Sequence, residues 1–232
     1  MRTLRNLAFG TTLAAAALLT ATPASAADYL FDSTGDAYTL SFDGFSGDSS
    51  NVIAGLTSEL LLTLTGGLGT NTLTFSYELT NTSTTGGAAS RVSGFAFDSN
   101  PNATGASGAT GDFANIFLGG NYPNGIGGVE VCLTNSGSCA GGGGGGATLL
   151  DPATGSFSLS FGSQLTSVTL NDFYVRYQSL SDLNGVTSAS GKETGGVPEP
   201  ATWAMLLIGF GAVGATLRTK KKADSGLRLR VA

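Results

Sequence analysis

Thr72-Leu73-Thr74-Phe75-Ser76-Tyr77-Glu78-Leu79 alternates without a break, with Leu73, Phe75, Tyr77 and Leu79 on one side and Thr72, Thr74, Ser76 and Glu78 on the other. Successive side chains of a strand point to opposite faces, so this stretch predicts a β-strand with one greasy and one hydroxyl-rich face. The same period returns in Tyr38, Leu40 and Phe42, in Phe157, Leu159 and Phe161, and in Phe173, Val175 and Tyr177. Further candidates are Glu59–Thr65, Arg91–Asp98, Ile116–Leu118, Val129–Thr134 and Leu165–Leu170. Strands of this kind belong to antiparallel sheets packed on one side. About nine of them, separated by Gly, Asn and Ser clusters, predict an all-β body, an antiparallel β-sandwich or jelly-roll-like ectodomain. Ser50–Leu61 is left open between a short helix and the lead into a strand.

Composition agrees. The chain has 232 residues, 36 of them Gly, and only 12% are charged, about half the ~25% of an average globular protein. Such a turn-rich, charge-poor chain is unlike a helical enzyme. Four stretches read as linkers: Thr82–Ala89, Asn100–Gly111, the glycine run Gly141–Gly146, and Ser188–Gly196. Charge is unevenly spread. Of the eleven Lys and Arg only Arg91, Arg176 and Lys192 lie in residues 27–196, with fourteen of the sixteen acids, a formal balance of −11. An acidic body has no electrostatic attraction to phosphate backbones, so nucleic acid is excluded as a partner.

The ends read as targeting. Arg2 and Arg5 precede an apolar stretch, Leu7 to Leu19, and Ala24-Ser25-Ala26 offers the small residues that signal peptidase needs. Residues 1–26 therefore read as a secretory signal peptide cut after Ala26. At the other end Val197-Pro198-Glu199-Pro200 is followed by seventeen uncharged residues, 201–217, and then by Arg218, Lys220, Lys221 and Lys222. A helix of that length covers roughly 25 Å, the lower limit for a transmembrane helix. The basic cluster is a stop-transfer signal that keeps the C-terminus cytoplasmic and the body outside the inner membrane. The expected organisation is thus a signal peptide at 1–26, a β-sandwich ectodomain at 27–187 and a flexible linker at 188–196. A sorting signal at 197–222 contains the span 201–217, and a tail extension occupies 223–232.

Val197-Pro198-Glu199-Pro200-Ala201-Thr202-Trp203-Ala204-Met205, with the apolar stretch and the basic cluster behind it, resembles the PEP-CTERM sorting signal in its PEPxxWA variant. The resemblance implies recognition by exosortase, a membrane-embedded cysteine protease and transpeptidase, through Pro198, Glu199, Pro200, Trp203 and Ala204. It also implies delivery to the cell surface or exopolysaccharide matrix of a Gram-negative bacterium. The same motif carries the label of an ice-binding protein C-terminal domain, which implies nothing about ice. The extension 223–232 departs from the family, whose members stop soon after the basic cluster. Trp203 has a second role open to it, as an interfacial anchor. Cys132, Cys139, the glycine run and Asn171–Ser179 together look like the "cistern" subgroup of PEP-CTERM proteins, a resemblance that implies no activity.

Cys132 and Cys139 are the only cysteines, and an even pair in an exported chain is expected to be a disulfide. No His is present and two thiolates do not complete a tetrahedron, so no metal or other cofactor is expected. Nor is a catalytic residue: without His the usual general base is missing. The body is therefore expected to be a non-enzymatic surface or matrix protein, with exopolysaccharide as its candidate ligand. Two alternatives stay open. One is a glycosidase-like enzyme working with two carboxylates. The other is a calcium-dependent adhesin built on Asp28, Asp32, Asp36, Asp43 and Asp48. For Arg176 two readings remain, a pair with an acid such as Asp172 or Glu130, or plain exposure.

Overall fold

A computed structural model describes residues 27–141 and 144–194. The signal peptide, the sorting signal with its span 201–217 and the tail extension lie outside the described residues. Twelve strands follow in chain order: β1 Tyr29–Phe31, β2 Ala37–Phe45, β3 Val52–Gly66, β4 Thr70–Asn81, β5 Arg91–Asn100, β6 Gly105–Ser107, β7 Asn115–Tyr122, β8 Gly127–Thr134, β9 Ala147–Thr148, β10 Ala153–Leu165, β11 Val168–Gln178 and β12 Ser188–Glu193. Leu73, Phe75, Tyr77 and Leu79, read as the greasy face of a strand, are buried on β4.

All pairings are antiparallel, in the order β6-β10-β4-β3-β2-β12-β11-β5-β8-β7, while β1 pairs with β11 and β9 with β5. A sandwich of two separate sheets was expected. The hydrogen-bonded path is instead continuous, one sheet curled upon itself and close to a barrel. Its halves still face each other as in a sandwich. Phe157 of β10 meets Phe97 of β5 across the core at 5.8 Å, and within its own half stacks on Phe75 of the neighbouring β4 at 5.3 Å. Tyr77 of β4 meets Phe95 of β5 across the core at 5.3 Å, while Phe97 stacks on Phe173 of the neighbouring β11 at 5.3 Å. Each such pair adds ~0.5–1.5 kcal/mol beyond the area it buries.

Two glycines sit where the halves join. Gly191 of β12 and Gly44 of β2 are register partners. A Cβ on Gly191 would lie 2.6 Å from Val175 Cγ2, and one on Gly44 2.5 Å from Leu56 Cδ2. Bare backbone at this pair lets core side chains close over the joint.

Several expectations are corrected. Ser188–Glu193, expected to be part of a flexible linker, is a central strand between β11 and β2. Its inward residues, Ala189 and Gly191, are small because Val175, Tyr177 and Phe42 already fill the space. The body therefore runs on through Glu193 instead of ending at 187. Ser50–Leu61 holds no helix, since β3 begins at Val52. The loop Asn100–Gly111 contains β6, and its later residues stay on β10, with Thr110 N–H donating to Ser156 O and Asp112 N–H to Thr154 O. Leu165–Leu170 and Asp172–Tyr177, expected as two strands, are the end of β10 and the single strand β11, irregular in register around Asp172 at φ 49°.

Candidate functional site

β5 is buried on both faces. Phe95 and Phe97 enter the main core, whereas Ala96 joins a second, smaller core with Tyr122, Val129, Cys132 and Cys139. What builds this second core is the β7–β8 hairpin, whose tip lies over the outer side of the sheet. Tyr122 Oη donates to Gly94 O of β5 at 3.3 Å, and Ser190 Oγ of β12 donates to Pro123 O at 3.2 Å. Gly119, at φ 72°, takes a left-handed conformation inside β7, opposite β8, that favours glycine. Cys132 and Cys139 are bonded, with Cα atoms 5.8 Å apart, and tie the next loop to β8. Closing so short a loop contributes about 2–3 kcal/mol in the chain-entropy picture.

Arg176 of β11 lies under this cap and is 8% exposed. It is neither solvated nor paired with Asp172 or Glu130. Its Nε donates to Ala140 O at 3.2 Å, Nη1 to Ala189 O at 2.9 Å and Nη2 to Ser188 Oγ at 2.9 Å. With its oxygen turned toward Arg176, the Asn124 amide accepts from Nη1 at 3.0 Å and from Ser190 N–H at 2.9 Å. One guanidinium thus joins the disulfide loop, β12 and the hairpin tip. Burial pulls its pKa below the ordinary arginine value, against the opposing effect of Tyr122. The fork of five donors suits several acceptors at once, which a lysine would not.

Glu130, read as a possible partner of Arg176, is used elsewhere by the fold. Glu130 accepts from Ser99 N–H at 2.7 Å, from Ser99 Oγ at 2.9 Å and from Ala103 N–H. Its own N–H donates to Asp98 Oδ1 at 2.8 Å. Among the described residues no group of three or more acids or thiols is placed to hold a metal ion. The five N-terminal aspartates are dispersed. Asp36 caps the β1–β2 turn by accepting from Asp32 and Ser33 N–H at 2.9 and 2.8 Å. Asp48 sits in the β2–β3 turn, where the Ser50 hydroxyl and then its N–H hold the carboxyl pKa below its usual value. The nine residues of β2 lie between those turns, roughly 30 Å of strand. A hollow of about 350 Å³ beside the disulfide, lined by Phe117, Gly119, Gly120, Asn121, Gly137, Ser138, Cys139 and Ala140, presents no titratable side chain.

The outer faces of β4 and β10 carry rows of hydroxyls. Thr74 pairs with Ser158 at 3.1 Å, Thr72 with Ser160 at 3.3 Å, and Thr110 with Ser156 at 2.9 Å. Each hydroxyl keeps acceptor capacity for an outside donor.

The ends of the body meet at one point. The last pair of β12 on β11 is Lys192 opposite Tyr174, and the first pair of β1 is Tyr29 opposite Leu170 on the same strand. Tyr29 Oη donates to Glu193 Oε1, and Thr194 is held by its N–H on Ser41 O at 2.9 Å. Sequence reasoning missed this junction, because Tyr29 and Glu193 are 164 residues apart and neither stands in a motif.

Two residues beyond Thr194 the family comparison takes over. Residues 196–222 match the family model of the PEP-CTERM protein-sorting motif. The chain therefore carries a PEP-CTERM protein-sorting motif at this end, which supports an exported protein processed by exosortase. No curated protein and no solved structure matches the chain. The expected signal-cleavage residues Ala24 and Ala26, the motif residues Pro198, Glu199, Pro200, Trp203 and Ala204, and the basic residues Arg218, Lys220, Lys221 and Lys222 lie outside the described residues. Among the described residues no helix is long and apolar enough to cross a membrane.

Proposed function

We infer that this chain delivers a non-catalytic β-domain to the bacterial surface or its exopolysaccharide matrix. The single observation that carries the reading is the sorting motif at 196–222, directly behind the last strand of a folded body. In this reading signal peptidase cuts after Ala26. The stretch 201–217 then rests in the inner membrane, with Arg218, Lys220, Lys221 and Lys222 on the cytoplasmic side. Exosortase acts at Pro198-Glu199-Pro200. Replacing these three residues by alanine is expected to abolish C-terminal processing and leave the full-length form in the membrane fraction. Unchanged processing would contradict the reading.

A non-catalytic body is supported by the use of Glu130 and Asp98 as backbone acceptors and by a chain with no His. The hydroxyl rows on β4 and β10 support polysaccharide contact, since they offer donors and acceptors in register with little charge. Retention of the body on an exopolysaccharide column, reduced when Thr74 and Ser158 become valine, is the expected result. Passage in the void volume with every glycan tried would remove the ligand while leaving the sorting reading in place.

A further inference from the structure

β1 and β12 lie end to end in one lane beside β11 and run in the same direction, as though Glu193 continued into Asp28. The join is closed by the Tyr29 hydroxyl on the Glu193 carboxylate, and these side chains are 8% and 9% exposed. Thr194 is fastened as well, its N–H and Oγ1 both donating to Ser41 O at 2.9 and 3.1 Å. The chain is therefore fixed through residue 194. Gly195, Gly196 and Val197 follow, and then Pro198. Four residue steps reach at most about 14 Å, no more than the ~15 Å radius of gyration expected for a domain of this size. Whatever grips Pro198-Glu199-Pro200 must come within touching distance of the body.

We propose that the surface around this junction is the face that the folded body turns to its processing enzyme, and that Tyr29 and Glu193 are positioning residues that set how much free chain the enzyme can grip. The proposal rests on the sorting reading of 196–222. Around the junction stand Asp28, Asp43 and Asp172, with Lys192 opposite Asp43. Asp28 accepts from Asn171 Nδ2 at 3.2 Å. Acids outnumber the cation, so anionic headgroups repel this face. The partner it fits is a protein surface carrying cations, not the bilayer itself.

The test is pulse–chase measurement of C-terminal processing of the full chain in its producing cell. Inserting six Gly-Ser residues after Thr194 leaves every described contact in place and is expected to speed processing about threefold or more, and deleting Gly195 and Gly196 to slow it by as much. Glu193→Ala and Tyr29→Phe are expected to speed it in the same direction as the insertion. Glu193→Gln, which keeps an acceptor for Tyr29, is expected to track the unaltered chain. Rates indifferent to insertion and deletion alike, or slowed by the insertion, would overturn the proposal. Crosslinking from a photoreactive residue at position 192 that captured lipid and no protein would also overturn it. If the unaltered chain were not processed at all, the sorting reading itself would fail, a result distinct from processing that ignores tether length.

Discussion

Arg176 shows how a single side chain can hold three segments. Its donors meet Ala140, Ser188 and Ala189, and Asn124 completes the set. Arg176→Ala removes the side-chain donor from the buried Ala189 carbonyl and empties the space under the cap, and is expected to cost about 1–3 kcal/mol. The check is urea denaturation, with a lower midpoint and an unchanged slope. The tyrosines give a second expectation. Burial raises the pKa of Tyr122 and Tyr177 well above the ordinary value and that of Tyr77 to about 12. The folded state therefore holds these protons more tightly than the unfolded state, whose tyrosines titrate near ~10. Stability from this source is complete below pH ~10 and is lost as the pH rises from there through the folded values. Unfolding followed by circular dichroism should begin above pH ~10, together with the tyrosinate absorbance. Full ionisation of all six tyrosines with the fold intact would contradict it. At this scale the greasy faces were legible, since Leu73, Phe75, Tyr77 and Leu79 declare themselves by period alone. Arg176 was not. A buried cation whose partners are backbone carbonyls leaves no charge pattern to read.

β12 is the element on which the sheet turns. It joins β2, from the start of the body, to β11, near its end. A chain ended after Thr187 leaves that lane empty and exposes two long strand edges, while one ended after Thr194 keeps every described strand. The first is expected to aggregate or to be digested rapidly by protease, and the second to resist digestion. Equal resistance would remove the central role given to this strand. β12 was invisible in the sequence for a packing reason. Its inward positions are Ala189 and Gly191, and a Cβ at Gly191 would come within 2.8 Å of Tyr177 Cε2. A strand that must be thin inside cannot show the greasy alternation that marked β4. Ser188-Ala189-Ser190-Gly191 therefore reads as a spacer until its neighbours are known. β6 was hidden for a different reason, being only three residues long within a polar loop.

For the whole molecule, the class of fold was legible and its closure was not. Alternation specifies antiparallel strands with one greasy face, but not whether those faces meet as two sheets or as one sheet curled over. That choice lies in contacts far apart in sequence, such as Phe97 with Phe157 and Gly44 with Gly191. The ends of the chain carried the clearest signal, because a sorting address must be readable by the enzymes that act on it. The central claim joins both levels: an exported β-domain that carries a disulfide and whose last described residue stands four positions before the sorting proline. Intact-mass spectrometry of the protein recovered from the cell surface tests this most directly. The account predicts a form that begins at Ala27, ends beyond Thr194 near the Pro198-Glu199-Pro200 motif, and weighs two hydrogens less than its reduced sequence. Recovery of the chain from cytosol with residues 1–26 attached and both thiols free, or of a surface form cut before Glu193, would contradict it.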